Sequence, residues 1–224
     1  MTFKTKLKSY FSKSTINLLR SFICFFFGNI KTIHLRFSRR SFFFIPHHHI
    51  KMMNILLGLI RLLDNLNIKY FLSSGTLLGS VRQGSFAGKP GDLDIAIKYK
   101  DLAKLKNYLK FNKKEIKITQ GPRVKNKNLW MRIQGETVDV ILLREIKNFF
   151  VGSFYCYYKK KKINLKLSKK IFENIKSDYL YNIPVNVPNE SLHLIRKLYG
   201  KKWNIADKKQ YIWKDKYLNH ITKN

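Results

Sequence analysis

The stretch Tyr70-Phe-Leu-Ser-Ser-Gly-Thr-Leu-Leu-Gly-Ser-Val-Arg-Gln-Gly-Ser-Phe-Ala-Gly-Lys-Pro-Gly-Asp-Leu-Asp-Ile-Ala-Ile97 decides how the rest of the chain is read. It opens on an aromatic, apolar run and closes on Asp-Leu-Asp followed by apolar residues, so strands are expected at Lys69 to Leu72 and Leu93 to Ile97. Between them Gly75, Thr76, Gly79 and Ser80 predict a small-residue turn. Residues two apart on a strand point the same way, which sets Asp92 and Asp94 side by side with Leu93 turned into the core. Two carboxylates that close repel by about 1–4 kcal/mol at surface-like dielectric. A divalent cation removes that cost, and Mg²⁺ in particular takes hard oxygen ligands while keeping waters and phosphates as further partners.

Upstream, apolar residues fall at Met52, Ile55, Leu56, Leu59, Ile60, Leu63 and Leu66, a spacing of three and four that makes one stripe of a helix closed by Asn65 and Asn67. Pro46 and the run His47-His48-His49 mark the expected boundary before it. The three histidines, read as extended chain, point in alternate directions and form an exposed polar cluster rather than a metal site. Downstream, Asp101 is the expected N-cap of an amphipathic helix through Leu109. Strands are expected at Ile116 to Thr119, Leu129 to Ile133 and Val138 to Leu143. Asn189 is expected to cap a last helix that stops before Gly200. The elements describe an α/β (α+β) domain: a mixed sheet flanked by helices.

Asp139, between Val138 and Val140, projects from the sheet face opposite its apolar neighbours and adds a third carboxylate. Three acids from two strands suit a metal site for phosphoryl transfer, holding Mg²⁺ or Mn²⁺. The segment before them supplies the other half: Gly79 allows backbone to approach a phosphate, Ser80 offers a hydroxyl, and a helix start there would aim N–H groups at an anion.

With these parts in order, the run from Tyr70 to Ile97 resembles the signature of the LicD and fukutin family of the nucleotidyltransferase superfamily. The C-terminal Val187-Pro188-Asn189 through Leu198-Tyr199-Gly200, with Trp203, is similar to that family's closing segment, and the likeness extends from Ile50 to Trp203. The resemblance implies a nucleotidyltransferase-like fold. It implies transfer of phosphocholine, ribitol phosphate or a similar substituted phosphate from a CDP-activated alcohol donor to a sugar hydroxyl of a cell-surface glycan acceptor, which is lipid-linked or polymeric. By position, it makes Gly75, Thr76, Gly79 and Ser80 the donor-binding turn, sets Arg82 against the phosphates, and gives the metal to Asp92 and Asp94. Asp139 matches a more variable acid, as metal ligand or as the group that orients or deprotonates the acceptor. Where many members have Trp and further Asp residues before the pair, this chain has Lys89-Pro90-Gly91, which offers Lys89 as a donor contact.

The composition fits polyanionic surroundings: 45 basic against 13 acidic residues leave a formal charge of +32 on 224 residues. Abundant Lys, Ile, Asn and Phe also fit an AT-rich genome, which accounts for part of that charge. Cys24 and Cys156 fit neither a disulfide framework nor a zinc spacing and read as free thiols in a reducing compartment. The apolar run Phe22 to Gly28 is shorter than the ~20 residues a spanning helix needs. Residues 1–49 therefore read as a basic, aromatic segment lying on an anionic membrane surface, or else as a solvated tail or docked helix. The catalytic domain is expected over residues 50–210, with a basic tail over 211–224. Together these place the protein in the cytoplasm, peripheral at a membrane. Tyr199 and Gly200 read as a structural helix end, Arg123 and Arg132 as a solvated face, and the aromatics from Phe154 to Tyr158 as one face of a strand or helix. Nucleic acid is not the expected partner. Two other activities compete with the glycan reading, a nucleotidyltransferase acting on RNA or protein and a non-catalytic polyanion-binding module.

Overall fold

A computed structural model describes residues 45, 47–88, 90–112, 117–125, 127–181 and 183–205. The chain divides into two units, residues 1–51 and 52–224. The expected N-terminal membrane segment, the C-terminal tail and Lys89 therefore lie outside the described residues, apart from the few that lead into the first helix.

Helix α1 (His47–Asn65) begins with the three histidines, so they form a first helical turn and not the extended chain expected of them. The apolar stripe behaves as its spacing requires, with Met52, Ile55, Leu56, Leu59 and Leu63 fully buried. Strand β1 (Tyr70–Leu72) follows, buried throughout. The expected small-residue turn is helix α2 (Ser74–Gln83). Gly, Ser and Thr are poor helix formers in isolation, but Thr76, Leu77, Leu78 and Ser80 are buried, and packing of that face overrides local propensity. Ser73 is extended (φ −131°, ψ 174°) and Ser74 takes a left-handed φ of 42°, which swings the chain from strand into helix. Gly84, left-handed at φ 65°, ends it, its N–H donating to the Ser80 carbonyl at 2.9 Å.

Strand β2 (Asp92–Lys98) leads through a 3₁₀ turn (Tyr99–Asp101) to α3 (Leu102–Phe111). Asp101 sits at the helix start with helical dihedrals and no side-chain capping bond, so the turn, not a cap, starts the helix. Strands β3 (Ile118–Lys125), β4 (Asn128–Ile133) and β5 (Glu136–Ile146) match the three expected strands in existence, with longer spans. A second group comprises β6 (Phe149–Cys156), β7 (Lys161–Ser168) and the hairpin β8 (Ile175–Leu180) and β9 (Ile183–Pro188). Helix α4 (Ser191–Tyr199) closes the described chain; its N-cap is Glu190, one residue after the expected Asn189, and Gly200 follows its end.

The seven-stranded sheet runs β1-β2-β5-β4-β3, and β5 also pairs with β6, which pairs with β7; β8 and β9 form a separate ribbon. Strands β2 and β5 are parallel, and every other pair is antiparallel. Being central, β2 and β5 are buried on both faces from Leu93 to Ile97 and from Val140 to Leu143. With four α-helices among the described residues, this is the mixed α/β architecture expected. Phe71, Phe150 and Phe172 cluster at one end of the strands, with ring centroids 5.3 and 5.1 Å from Phe172. The acids occupy the other end.

Candidate functional site

Because β2 and β5 are parallel, their register sets Asp94 directly beside Asp139, and Asp92 beside Thr137. Partners in register point to the same face, so alternation along each strand and pairing between them bring three carboxylates to one end of the sheet. Asp94 is the deepest, 6% exposed. Its Oδ2 accepts from the Gly75 N–H at 3.1 Å, and its own N–H donates to Thr76 Oγ1 at 2.9 Å. The first turn of α2 thus holds Asp94 by both backbone and side chain. An added Cβ on Gly75 would lie 3.4 Å from that oxygen, in ordinary contact.

The acids raise one another's proton affinity. Burial, followed by the charges of Asp92 and Asp139, pushes the Asp94 carboxyl well above the usual range, partly opposed by N–H groups of Thr76 and Gly75. Burial and then Asp92 push Asp139 up to about 6, opposed by Asn128 and Lys162. Asn128 Nδ2 donates to Asp139 Oδ2 and to the Ser153 carbonyl, each at 3.4 Å. Tyr157 and Tyr199 close the site, their rings stacked at 4.3 Å and 11°. Both hydroxyls are held well above their ordinary pKa, first by burial, with the carboxylates adding to it. Tyr199 is therefore both helix end and site wall. Its place is secured by the Tyr157 N–H, which donates to the Leu198 carbonyl at 2.8 Å.

Among the described residues no three Asp, Glu, His or Cys side chains already converge as an ion-binding cluster. The three acids nonetheless fit a hard divalent ion in chemistry: all are oxygen donors on one face, and their mutual repulsion is what a cation relieves.

The structure brings Gly75 and Thr76 to the acids and sets Gly79, one turn farther along α2, against the backbone of Ser85 to Ala87. An added Cβ at Gly79 would fall 2.3 Å from the Ser85 carbonyl oxygen and 2.5 Å from the Ala87 nitrogen, so this glycine admits the loop after α2. Ser80 is buried and its hydroxyl has no hydrogen-bond partner among the described residues. Arg82 lies in the last turn of α2, its Nε donating to Gln83 Oε1 at 3.2 Å, and it is not among the charges acting on Asp94 or Asp139. Asn128, Lys162, Tyr157 and Tyr199 were not read as site residues from the sequence. Only the Leu-Tyr-Gly ending of α4 and the aromatic run before Lys159 hinted at the last two.

A profile of the LicD/FKTN/FKRP nucleotidyltransferase domain matches residues 67–190, more than half of the chain. An uncharacterised protein of Rickettsia typhi, RT0683, is 32% identical over 98 residues, covering 44% of this chain and 30% of its own length. The matched part thus spans under a third of that relative. Among solved structures, the lincosamide antibiotic adenylyltransferase LnuA, lincomycin-bound, is 9% identical and covers 71% of this chain and 91% of its own, with a TM-score of 0.46. The antibiotic-resistance factor ANT(2'')-Ia is 11% identical and covers 78% and 98%, with a TM-score of 0.45. Among the described residues no helix is long and apolar enough to cross a membrane.

Proposed function

The chain belongs to the LicD/FKTN/FKRP nucleotidyltransferase family, and from that premise we propose that it transfers a substituted phosphate, such as phosphocholine or ribitol phosphate, from a CDP-activated donor to a sugar hydroxyl of a cell-surface glycan. The observation that supports this most is the Asp94–Asp139 pair in register on parallel strands, with Asp94 gripped by the first turn of α2. Asp92, Asp94 and Asp139 are the residues that would hold Mg²⁺ or Mn²⁺. Bound there, the ion would supply charge neutralisation for the donor's diphosphate.

The chain's own groups supply position and proton transfer. Gly75 and Thr76 fix the Asp94 carboxylate so that it costs no reorganisation when donor arrives. Asp139, whose burial raises its proton affinity, takes the proton of the attacking hydroxyl at a carboxylate oxygen while Asn128 holds the other side of the group. The Tyr157–Tyr199 stack excludes water from behind Asp94 and strengthens every charge interaction there. In-line attack on the distal phosphorus then joins the alcohol phosphate to the sugar and releases CMP. Acceptors assembled at an anionic membrane would suit the +32 charge.

A panel of CDP-activated alcohols incubated with the protein and Mg²⁺, with and without candidate glycans, tests the reading. CMP release that depends on both glycan and Asp94 is the expected result. Incorporation of a nucleoside monophosphate with release of pyrophosphate would replace it with nucleotidyl transfer, and full activity of Asp94→Asn would remove the site assignment.

A further inference from the structure

The sheet face that carries the acids continues past them. Across the strands, Asp94 on β2 pairs with Asp139 on β5, Asp139 with Trp130 on β4, and Trp130 with Arg123 on β3. Adjacent strands are ~4.8 Å apart, so Trp130 lies ~5 Å and Arg123 ~10 Å beyond Asp139. Strand β4 alternates strictly: Leu129, Met131 and Ile133 are fully buried, while Asn128, Trp130 and Arg132 take the site face. That Asn128 reaches Asp139 shows this face is shared with the acids.

Both arginines are held against the indole. The Arg123 guanidinium lies 4.4 Å from the Trp130 ring centroid and that of Arg132 lies 5.8 Å away. Arg123 reaches its place through an irregularity: the β3–β4 register shifts between Gln120 and Arg123, so that Gly121 and Pro122 bulge and Arg123 pairs with Trp130. Such bulges re-aim a side chain at the cost of ladder bonds. Gln120, with its amide oxygen turned to Arg123, accepts from it at 3.2 and 3.3 Å and steadies it further. Both arginines are exposed, and among the described residues neither is ion-paired with a carboxylate. Arg123 gives two of its five N–H donors to Gln120 and keeps three, and Arg132 adds its own fork, for a phosphate or carboxylate.

We infer that Trp130, Arg123 and Arg132 form a subsite for an anionic group, phosphate or carboxylate, carried by the acceptor saccharide near its reacting hydroxyl. The inference rests on the phosphotransferase reading for the word acceptor. Sides of the site make the assignment: α2, which grips Asp94 on β2, lies to one side of Asp139, and the Trp130 platform lies to the other. A donor engaged at the α2 side leaves the platform to the second substrate.

The test is calorimetric titration of the full chain at ~0.15 M salt with hexagalacturonate, phosphorylated maltohexaose, neutral maltohexaose and an RNA hexamer. At least one anionic saccharide is expected to bind about tenfold or more tightly than the neutral one, and whichever binds identifies the anion. Arg123→Gln with Arg132→Gln should remove that preference, while Lys110→Gln with Lys147→Gln, which removes the same charge from exposed positions outside β3 and β4, should retain it. Trp130→Ala, which changes no charge, should weaken anionic binding by several-fold because the guanidinium groups lose their stack. Equal loss in the lysine variant, or no preference over maltohexaose, overturns the inference. Tighter binding of the RNA hexamer through Trp130 also overturns it, assigning the platform to nucleic acid. Saccharide binding needs no donor, and Asp94→Asn should retain it. Failure of CMP release with binding intact would therefore refute the reaction and leave the anion subsite standing. CMP release with acceptor charge irrelevant would refute the subsite alone.

Discussion

Alanine at Gly79 is the sharpest test of whether that glycine serves packing or a ligand. The new Cβ would meet three backbone atoms: the Ser85 oxygen at 2.3 Å, the Ala87 nitrogen at 2.5 Å and the Phe86 carbonyl carbon at 2.9 Å. Relief requires moving the loop by ~1 Å, since carbon and backbone atoms seldom approach much closer than ordinary van der Waals contact. The loop resists because Gln83 Nε2 donates to the Phe86 carbonyl at 2.7 Å and to Ser85 Oγ at 2.9 Å. Phe86 is also buried, edge-on to Tyr181 with ring centroids 5.8 Å apart. Overpacking of this kind costs about 1–3 kcal/mol, and partial exposure of Phe86 adds up to about 2 kcal/mol. Alanine's better helix propensity returns about 1 kcal/mol. The net loss is about 2 kcal/mol, a fall in Tm of about 4–8 °C for a domain of this size. Thermal unfolding followed by circular dichroism reads it. Gly58→Ala is the internal control: nothing lies within 4 Å of its added Cβ, so the same change inside α1 should raise Tm by ~2–4 °C. If Gly79→Ala melted with the wild type and lost only activity, the packing account of Gly79 would be wrong and a ligand would have to fill that space.

Asp94→Asn should abolish transfer yet raise the metal-free Tm by ~2–4 °C, because it removes a buried, repelled carboxylate worth about 1 kcal/mol while keeping an oxygen for the Gly75 N–H; a lower Tm would count against the repulsion argument. Treatment with EDTA should stop product formation and Mg²⁺ or Mn²⁺ should restore it, checked by CMP release. Stability should fall at alkaline pH through Tyr70, whose pKa is pushed up from 10.0 to about 12, chiefly by burial. Its contribution is fully present below pH 10 and is lost as pH rises through about 12, a change of about 3 kcal/mol. Urea titrations across that range should show the loss reduced in Tyr70→Phe, and an unchanged pH profile would reassign the effect. Gly75→Ala, whose Cβ meets only ordinary contacts with Asp94 Oδ2 at 3.4 Å and the Tyr199 hydroxyl at 3.8 Å, should leave Tm nearly unchanged and lower activity by taking the space a substrate would use beside Asp94; a large loss of Tm would show that the space is not there.

Alternation is a local property, and local properties are what the chain discloses on its own. Asp94 and Asp139, each set between apolar neighbours, and Asp92, two residues before Asp94, could be placed on one side of strands before any fold was known, and the three-and-four spacing from Met52 to Leu66 named α1 as a core helix. Packing decided the rest. Residues 74–83 read as a turn by their glycines and serines, and became a helix because its buried face has β2 and α4 to lie against. Which strand stands beside which is a matter of long-range pairing, and only that pairing set Asp139 next to Asp94, brought Asn128 and Lys162 to Asp139, and extended the row to Trp130 and Arg123. Tyr157 and Tyr199, more than forty residues apart, stack beneath the acids because a β6 end docks on the end of α4. No window of sequence contains such a contact, since its energy arises when surfaces from distant segments leave water together.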